Sequence, residues 1–563
     1  MCAGRKRCSK RIDLVEAAGN AEIIDATAAT EGPTPATSPW APLRIGVFRV
    51  LWLTTLVDLT GNWFQTVGAQ WLLIDDAHAS ILVALVQTAT TLPFVLFGLI
   101  GGVLADTLDR RWLMVSVQTA MAAIGALLAA LTFSGQIQPT LLLLLVFLLG
   151  SGIALTSPAY QSLVPDLVSR SEIPAAAALN SISVNLARVV GPAIAGVLVA
   201  TAGVGTTFTV AAATSACYAT VLLLWRHPPP PRATPEPFVA ALRAGGHYVE
   251  HAPVVRRILL RAGLFLVPAS SLFALLPLIA SRQLGLGAGG YGFLLAAIGV
   301  GAISGALLLP KVRTRLSLNL MTAAASGLYV AVFAAVALLH DTVPVLVLLV
   351  PAGAAWVVVL SNVNAALQLF LPGWVRGRSL ALYQTVLFGS QAAGALLFGL
   401  LAAGVGLSAA LLTAAGVTAL GAATIRLWPF IDTSEMDRSP VAYWPEPAIS
   451  ADVSPEGRPV FVSVTYSVRE GDRPRFLEGM AQVRESRLRT GAISWGLYQE
   501  GEDDRSFVEL FAVASWEEHL RQHDERLTGT DRDYQQSVTH LSERPPEVRH
   551  LLSVAVPGAP RWS

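Results

Sequence analysis

Two charged side chains stand out for their surroundings. Asp58 and Arg188 each lie deep inside long apolar runs of the 563-residue chain. Burying a charge in hydrocarbon is costly, so such residues are functional candidates by default. A carboxyl at that depth can take up and release a proton, and a guanidinium at the same depth can pair with it. At 1.5 Å of rise per residue, Asp58 lies roughly 17 Å, and Arg188 roughly 18–20 Å, from the polar ends of their segments. The expectation is an ion pair in which Asp58 couples to a proton and Arg188 tunes it. The alternatives are a static pair, or a carboxylate facing a water-filled cavity with no coupling role.

Uncharged polar residues share these runs. Asn62, Gln65, Asn185, Asn362, Gln384 and Gln391 must face protein or a cavity if the runs lie in lipid. They are candidates for lining a substrate path, with interhelical hydrogen bonds as the plainer reading. Gly102-Val-Leu-Ala-Asp106-Thr-Leu-Asp-Arg110-Arg111 combines a small residue that permits close helix approach, an acid near a helix end and a basic pair. Gly191-Pro192 with Gly196 combines a helix-kinking proline and packing glycines. Cys2, Cys8 and Cys217 form neither a metal spacing nor a disulfide framework. Gly299-Val-Gly301 lies inside an apolar run with no strand before it, so it reads as helix packing rather than a nucleotide loop. His519 and His523 share a helix face, but no third ligand is evident, so a solvated face is expected. Neither a cofactor nor a bound metal is expected.

The elements that must hold these residues follow from composition. Hydrophobic residues make up 53% and charged residues 14%, well under the roughly 25% charged of an average soluble domain. A polytopic membrane protein is implied, and a net charge of +1 gives no support for a nucleic-acid partner. Apolar segments at 49–74, 79–104, 112–134, 140–162, 175–202, 206–225, 258–280, 290–309, 317–339, 343–369, 379–404 and 407–428 are each long enough to span a bilayer. Alternate connections carry Arg110, Arg111, Arg170, Arg226, Arg232, Arg243, Arg256, Arg257, Arg261, Lys311, Arg313, Arg315, Arg376 and Arg378, whereas the opposite set carries Arg282 alone. By the positive-inside rule both termini are cytoplasmic, in a cell membrane. The expected organisation is a disordered tail (1–45), a six-helix bundle (46–226), a cytosolic linker (227–257), a second six-helix bundle (258–429), a linker (430–459) and a cytosolic domain (460–554).

The last of these differs in kind. Eighteen of the 38 acidic residues fall between Pro455 and Ser553. Val460–Val468 alternates as a strand. A polar helix follows from Arg473 to Thr490, then strands at 493–499 and 507–514, a helix N-capped by Ser515 with Glu518 completing a capping box, and a last strand at 548–554. The order β-α-β-β-α-β matches a ferredoxin-like domain.

The loop from Gly102 to Arg111 resembles the signature loop of the major facilitator superfamily, matching at Gly102, Asp106, Arg110 and Arg111. Thr107 and Asp109 depart from that pattern. The run at Gly191, Pro192 and Gly196 is similar to the helix 5 motif of drug exporters. Phe48-Arg49-Val-Leu-Trp52, Gly61-Asn-Trp63, Val164-Pro-Asp-Leu-Val168, Trp374-Val-Arg376 and, in the tail, Gly496-Leu-Tyr498 and Ser515-Trp516 resemble the enterobactin-exporter-like, or transmembrane secretion effector, subgroup. The resemblance implies an all-α membrane fold of twelve helices in two bundles. It implies alternating access around a midplane cavity, and export of a small amphipathic compound, a siderophore or a drug, by proton antiport. An importer on the same scaffold stays open, as does a membrane-tethered enzyme or regulatory module acting through the tail. The tail resembles the domains of antibiotic-biosynthesis monooxygenases, which commonly dimerise, so a dimer through it is a further expectation. No clear substrate pocket supports activity there.

Overall fold

A computed structural model describes residues 38, 40–225, 246, 248–431, 436–437, 439, 441 and 459–553. The expected tail at 1–45 and the two linkers lie largely outside the described residues. Among the described residues eleven long helices precede the tail domain: α1 (Gly46–Leu72), α2 (Ala79–Thr107), α3 (Arg110–Phe133), α4 (Pro139–Leu163), α5 (Ile173–Leu224), α6 (Pro253–Leu278), α7 (Ala288–Arg313), α8 (Leu318–Leu338), α9 (Thr342–Phe370), α10 (Gly373–Val405) and α11 (Leu407–Ala423). Runs so apolar must satisfy their backbone internally in lipid, which selects helix. Ten stretches among the described residues are long and apolar enough to cross a membrane. The 27-residue α1 falls outside that set, because Asp58, Asn62, Gln65 and Gln70 dilute its apolar character.

The helix α5 runs for 52 residues but breaks at Gly203, where φ is 82° and ψ 168°. Only glycine adopts that backbone without strain. The expected segments 175–202 and 206–225 are thus two arms joined by one residue. Gly406 makes the same turn between α10 and α11, with φ 91° and ψ 163°.

Small residues seam the helices together. A Cβ at Gly101 would stand 2.9 Å from the Ala154 carbonyl oxygen, and one at Gly150 3.0 Å from that of Ala89, so α2 and α4 touch backbone to backbone. In the second half α7 and α9 meet in the same way, Gly305 lying against Ala354. Contacts between the halves run from the middle of the helices toward the ends away from the Arg110–Arg111 loop. Phe94 of α2 stacks on Phe388 of α10 with ring centroids 4.0 Å apart. Thr88 Oγ1 donates to the Ala392 carbonyl at 3.3 Å. Tyr291 of α7 donates to Gln70 Oε1 of α1 at 2.5 Å.

The tail builds β1 (Val460–Ser467), α12 (Arg473–Thr490), β2 (Ala492–Gln499), β3 (Ser506–Val513), α13 (Trp516–Arg521), α14 (Gly529–Thr539) and β4 (Glu547–Leu552). The strands form one antiparallel sheet in the order β2-β3-β1-β4. Val460, Val462, Val464 and Tyr466 alternate onto one face and bury Phe476, Met480 and Val483 of α12. Three expectations need correction. The helix α14 was not anticipated; its N-terminus is held by Thr528 and Asp531, which form a reciprocal capping box. Ser515 does cap α13, accepting from Glu518 N at 3.2 Å, but Glu518 does not return the bond. Its carboxylate instead pairs with Arg521 at 3.2 Å and Arg526 at 2.5 Å, because two guanidiniums outbid one backbone amide. The last strand ends at Leu552 rather than at 554. The tail also touches the apolar body: the Arg526 guanidinium lies over the Trp374 ring at 4.9 Å.

Candidate functional site

The signature loop acts as a clamp. Asp109 N-caps α3, accepting from Trp112 N at 3.2 Å. Arg110 donates to the Ala105 and Ser162 carbonyls, both at 3.2 Å, and pairs with Asp166 at 2.9 Å. Arg111 donates to the Leu222 and Leu223 carbonyls at 2.8 and 2.7 Å, where a cation meets the negative end of the second arm of α5. Gly102 faces open space, and it is Gly101 that makes the close approach expected of Gly102. The Asp106 side chain lies outside the described residues. The second half repeats the device: Arg313 donates to Asn362 Oδ1 and the Ser361 carbonyl, each at 3.1 Å. Asn362 is thus buried in a clamp and does not line an open path.

Asp58 sits in the core of the first half, 5% exposed. Ser215 Oγ of α5 donates to it at 3.0 Å and Gln118 Nε2 of α3 at 3.3 Å. No contact joins Asp58 to Arg188 among the described residues, so the two are not paired in this conformation. Equal depth placed them at one level, but they sit in different surroundings: Asp58 is bonded to α3 and the second arm of α5, whereas Arg188 is half-buried on the first arm of α5. Among the described residues no cation pairs with this buried carboxyl, which is held by a hydroxyl and an amide, so a proton is the direct way to remove its charge.

Arg188 belongs to a stripe on the first arm of α5. The exposed apolar residues Ile182, Leu186, Val190, Ile194 and Val197 mark one side of that arm. Ala177, Ser181, Val184 and Arg188 lie at helical spacing on the opposite side. The first three are exposed and Arg188 is half-buried, while Pro192 and Ala195, next along the stripe, are buried. The open strip therefore ends at Arg188. One residue further, α5 meets α7: a Cβ at Gly299 would stand 2.8 Å from Val189 Cα. The helix 5 motif packs against both neighbours, Gly191 on α1 and Gly196 on α7. A Cβ at Gly191 would stand 2.8 Å from Trp63 Cβ, and one at Gly196 2.7 Å from the Ala288 carbonyl. Pro192 offers its carbonyl at the same crossing, 2.7 Å from a Cβ at Gly292.

The remaining path candidates divide. Gln384 is exposed, and Asn62, Asn185 and Gln391 are half-buried. Asn185 donates to the Ser181 carbonyl at 2.8 Å and Gln391 to that of Leu387 at 3.4 Å. Gln65 is buried, and its Nε2, like Asn62 Oδ1, has no protein partner among the described residues. Buried polar atoms without partners are rare and call for water or ligand.

The tail carries two buried polar clusters that sequence spacing did not reveal. Glu509 on β3 accepts from Arg487 Nε at 2.9 Å, Trp495 Nε1 at 3.0 Å and Tyr466 OH at 3.1 Å. Burial works against the Arg487 charge, but Glu509 outweighs it and holds that guanidinium above its usual range. This ion pair occupies the space between sheet and helices where a substrate would have to enter. The expected solvated histidine face is overturned: His519 is fully buried. It packs against His523 and His550, with His519 and His550 Nε2 atoms 3.0 Å apart. Burial first, then the neighbouring imidazoles and Arg487, push His519 down to about 3. Burial and Arg487 push His523 down to about 4. Among the described residues no group has the geometry to hold a metal.

Comparison with known proteins follows the same lines. The family described as transmembrane secretion effector matches residues 37–558. The Staphyloferrin A transporter of Staphylococcus aureus (strain NCTC 8325 / PS 47) is 27% identical over 257 residues, covering 45% of this chain and 64% of the relative. The enterobactin exporter EntS of Shigella boydii serotype 4 (strain Sb227) is 32% identical over 265 residues, covering 46% and 62%. The chain thus spans somewhat over six-tenths of these curated relatives. Among solved structures, a bacterial homolog of the human lysosomal transporter Spinster, inward-facing and unoccupied, aligns with TM-score 0.55 and 18% identity over 70% of this chain and 97% of that one. A mutant of the nucleoside transporter NupG aligns with TM-score 0.57 and 13% identity, over 68% and 99%. At such identities the likeness is one of fold.

Proposed function

The chain belongs to the transmembrane secretion effector family of major facilitator transporters, and from that premise we propose that it exports a small amphipathic compound, a siderophore or a drug, by proton antiport. Its relatives and fold are those of transporters rather than enzymes, and it is a multi-pass membrane protein. We read twelve spans, counting α1 and both arms of α5, in bundles 46–226 and 258–429 with linkers at 227–257 and 430–459. Both termini face the cytoplasm of a cell membrane, and residues 460–554 form a ferredoxin-like cytosolic domain. The observation that carries the reading is the strip on α5 that stays open from Ala177 to Arg188 and closes where the halves meet. Such a cavity, open on the side of the Arg110–Arg111 clamp, is one state of an alternating-access cycle.

Asp58 is the proton-coupling carboxyl in this reading, and Asn62, Gln65, Asn185, Gln384 and Gln391 border the path. The matching clamps at Arg110 and Arg313 hold each half rigid while the halves rock. Filling of the tail core by Arg487 and Glu509 favours a regulatory or dimerising tail over an enzymatic one. Phe461, Val508, Leu510, Tyr498 and Leu551 share the sheet face away from the helices and suit a second copy of the tail. The test is accumulation of siderophores and drugs in everted vesicles, with and without a protonophore, for the full chain and for a chain lacking 455–563. Protonophore-sensitive accumulation by both forms is expected. Accumulation unaffected by the protonophore refutes antiport, accumulation only in right-side-out vesicles means uptake, and loss with the truncation returns the tail to the centre.

A further inference from the structure

We propose that Arg188 is the anchor for an anionic group, a carboxylate or an acidic phenolate, on the transported compound. This rests on the transporter reading above and names the class of cargo. Arg188 stands at the inner end of the open strip on α5, on the side away from the exposed apolar residues Ile182, Leu186 and Val190. It is half-buried, and no ion pair or hydrogen bond joins it to another side chain or carbonyl among the described residues. Asp58, the one acid at similar depth, is committed to Ser215 and Gln118. An arginine remains charged at any physiological pH and carries a planar fork of donors that matches a carboxylate. Four arginines near the helix ends are spent: Arg110 on Asp166, Arg111 on carbonyls, Arg261 on the carbonyls of Gly421 and Trp428, and Arg313 on Asn362. Unlike these four, Arg188 is partly exposed at the end of the strip and its donors have no protein partner among the described residues. A charge kept at that depth without a protein partner is compensated most directly by the ligand. Asn185 and Ser181, about one and two turns toward the open end, line the approach with neutral polar groups and add no negative charge to repel an anion.

The experiment uses the full chain in nanodiscs of phosphatidylcholine alone, which removes anionic lipid as a competing source of negative charge. Equilibrium binding is measured for three matched pairs: salicylate and salicylamide, 2,3-dihydroxybenzoate and its amide, citrate and its triamide. At least one carboxylate is expected to bind ten- to a hundredfold more tightly than its amide, the range of a charge-assisted hydrogen bond. Arg188→Gln is expected to bring the pair to near equality, and Arg188→Lys to retain part of the preference and to lose it as salt rises. Circular dichroism and size-exclusion profiles matching the parent confirm that both variants fold. Failure of every carboxylate to bind, equal affinity for carboxylate and amide, or an unchanged preference in Arg188→Gln overturns the proposal. Repeating the parent chain in nanodiscs containing phosphatidylglycerol separates the lipid: a carboxylate preference that disappears there assigns Arg188 to a headgroup and also overturns the proposal. Transport direction and proton dependence are read in the vesicle assay, so export can fail while anion recognition stands, and the reverse.

Discussion

Consider the crossing of α5 and α7 and the substitution Gly196→Ala. A Cβ at position 196 would stand 2.7 Å from the Ala288 carbonyl oxygen, 2.9 Å from Gly292 Cα and 3.1 Å from Gly292 N. Ordinary carbon contacts lie at about 3.5–4.0 Å, so the helices must separate by roughly 0.5–1 Å. The atoms met are backbone, and none can swing aside. Overpacking of this kind costs about 1–3 kcal/mol, but only where the two helices touch. If the halves rock apart at this end, the cost falls on one state alone and shifts the equilibrium roughly 5- to 150-fold toward the other. Spin labels at Gln136 and Asp341, one on each half, with Cys2, Cys8 and Cys217 replaced by Ser, read that equilibrium by double electron–electron resonance. The longer-distance population should grow in Gly196→Ala and dominate in Gly196→Leu. Gly102→Ala, which meets nothing within 4 Å, should leave the distribution alone. A distance distribution for Gly196→Leu that superimposes on the parent would refute the claim that this crossing is a gate rather than a fixed seam.

Three further outcomes are expected. Asp58→Asn still accepts through its one amide oxygen while its Nδ2 must donate to the other partner, but it cannot exchange a proton, so substrate-driven proton flux in vesicles should vanish while substrate binding persists; unchanged flux removes Asp58 from the coupling. Glu509→Ala strands the buried Arg487, and a loss of about 3–5 kcal/mol in the tail is expected, read as hydrogen exchange spreading through 459–553. Acid should also loosen the tail. His519 and His523 are held well below the usual imidazole value in the folded chain, so between pH 6.5 and about 4 the unfolded chain binds more protons and stability falls with falling pH. The slope is at most about 1.4 kcal/mol per pH unit for each ring. Exchange in α13 that is flat from pH 7 to pH 4.5, after correction for intrinsic rates, would contradict this.

The helices were legible because hydropathy over some twenty residues is a property of the chain alone. The observed α4, Pro139–Leu163, departs by a residue from the expected 140–162. Azimuth was not legible. Depth along a helix follows from counting, but the direction in which Asp58 or Arg188 points depends on how the helices turn about their axes, and that is set by glycine seams distributed over the whole fold. The same reasoning explains α14. Its polar residues give no apolar stripe, and its order comes from Asp531 reaching Arg489 and Ser486 on α12. Burial pushes the Asp531 carboxyl up, but Arg489 and the hydroxyls of Ser486 and Thr528 together outweigh it and leave it below the usual carboxylate range. The histidine cluster was hidden for a related reason, since His550 comes from a strand and enters only once β4 pairs with β1.

The one-residue turns at Gly203 and Gly406 have a consequence for anyone approaching the protein from the side away from the tail. The other connections on that side, 73–78, 134–138, 284–287 and 339–341, are also short. That side displays almost no loop for an antibody to grip, a protease to cut or an epitope tag to occupy without prying helices apart. Immunological detection, affinity capture and limited proteolysis will all work from the tail side, and a molecule that recognises the opposite face has little to read except the ends of helices.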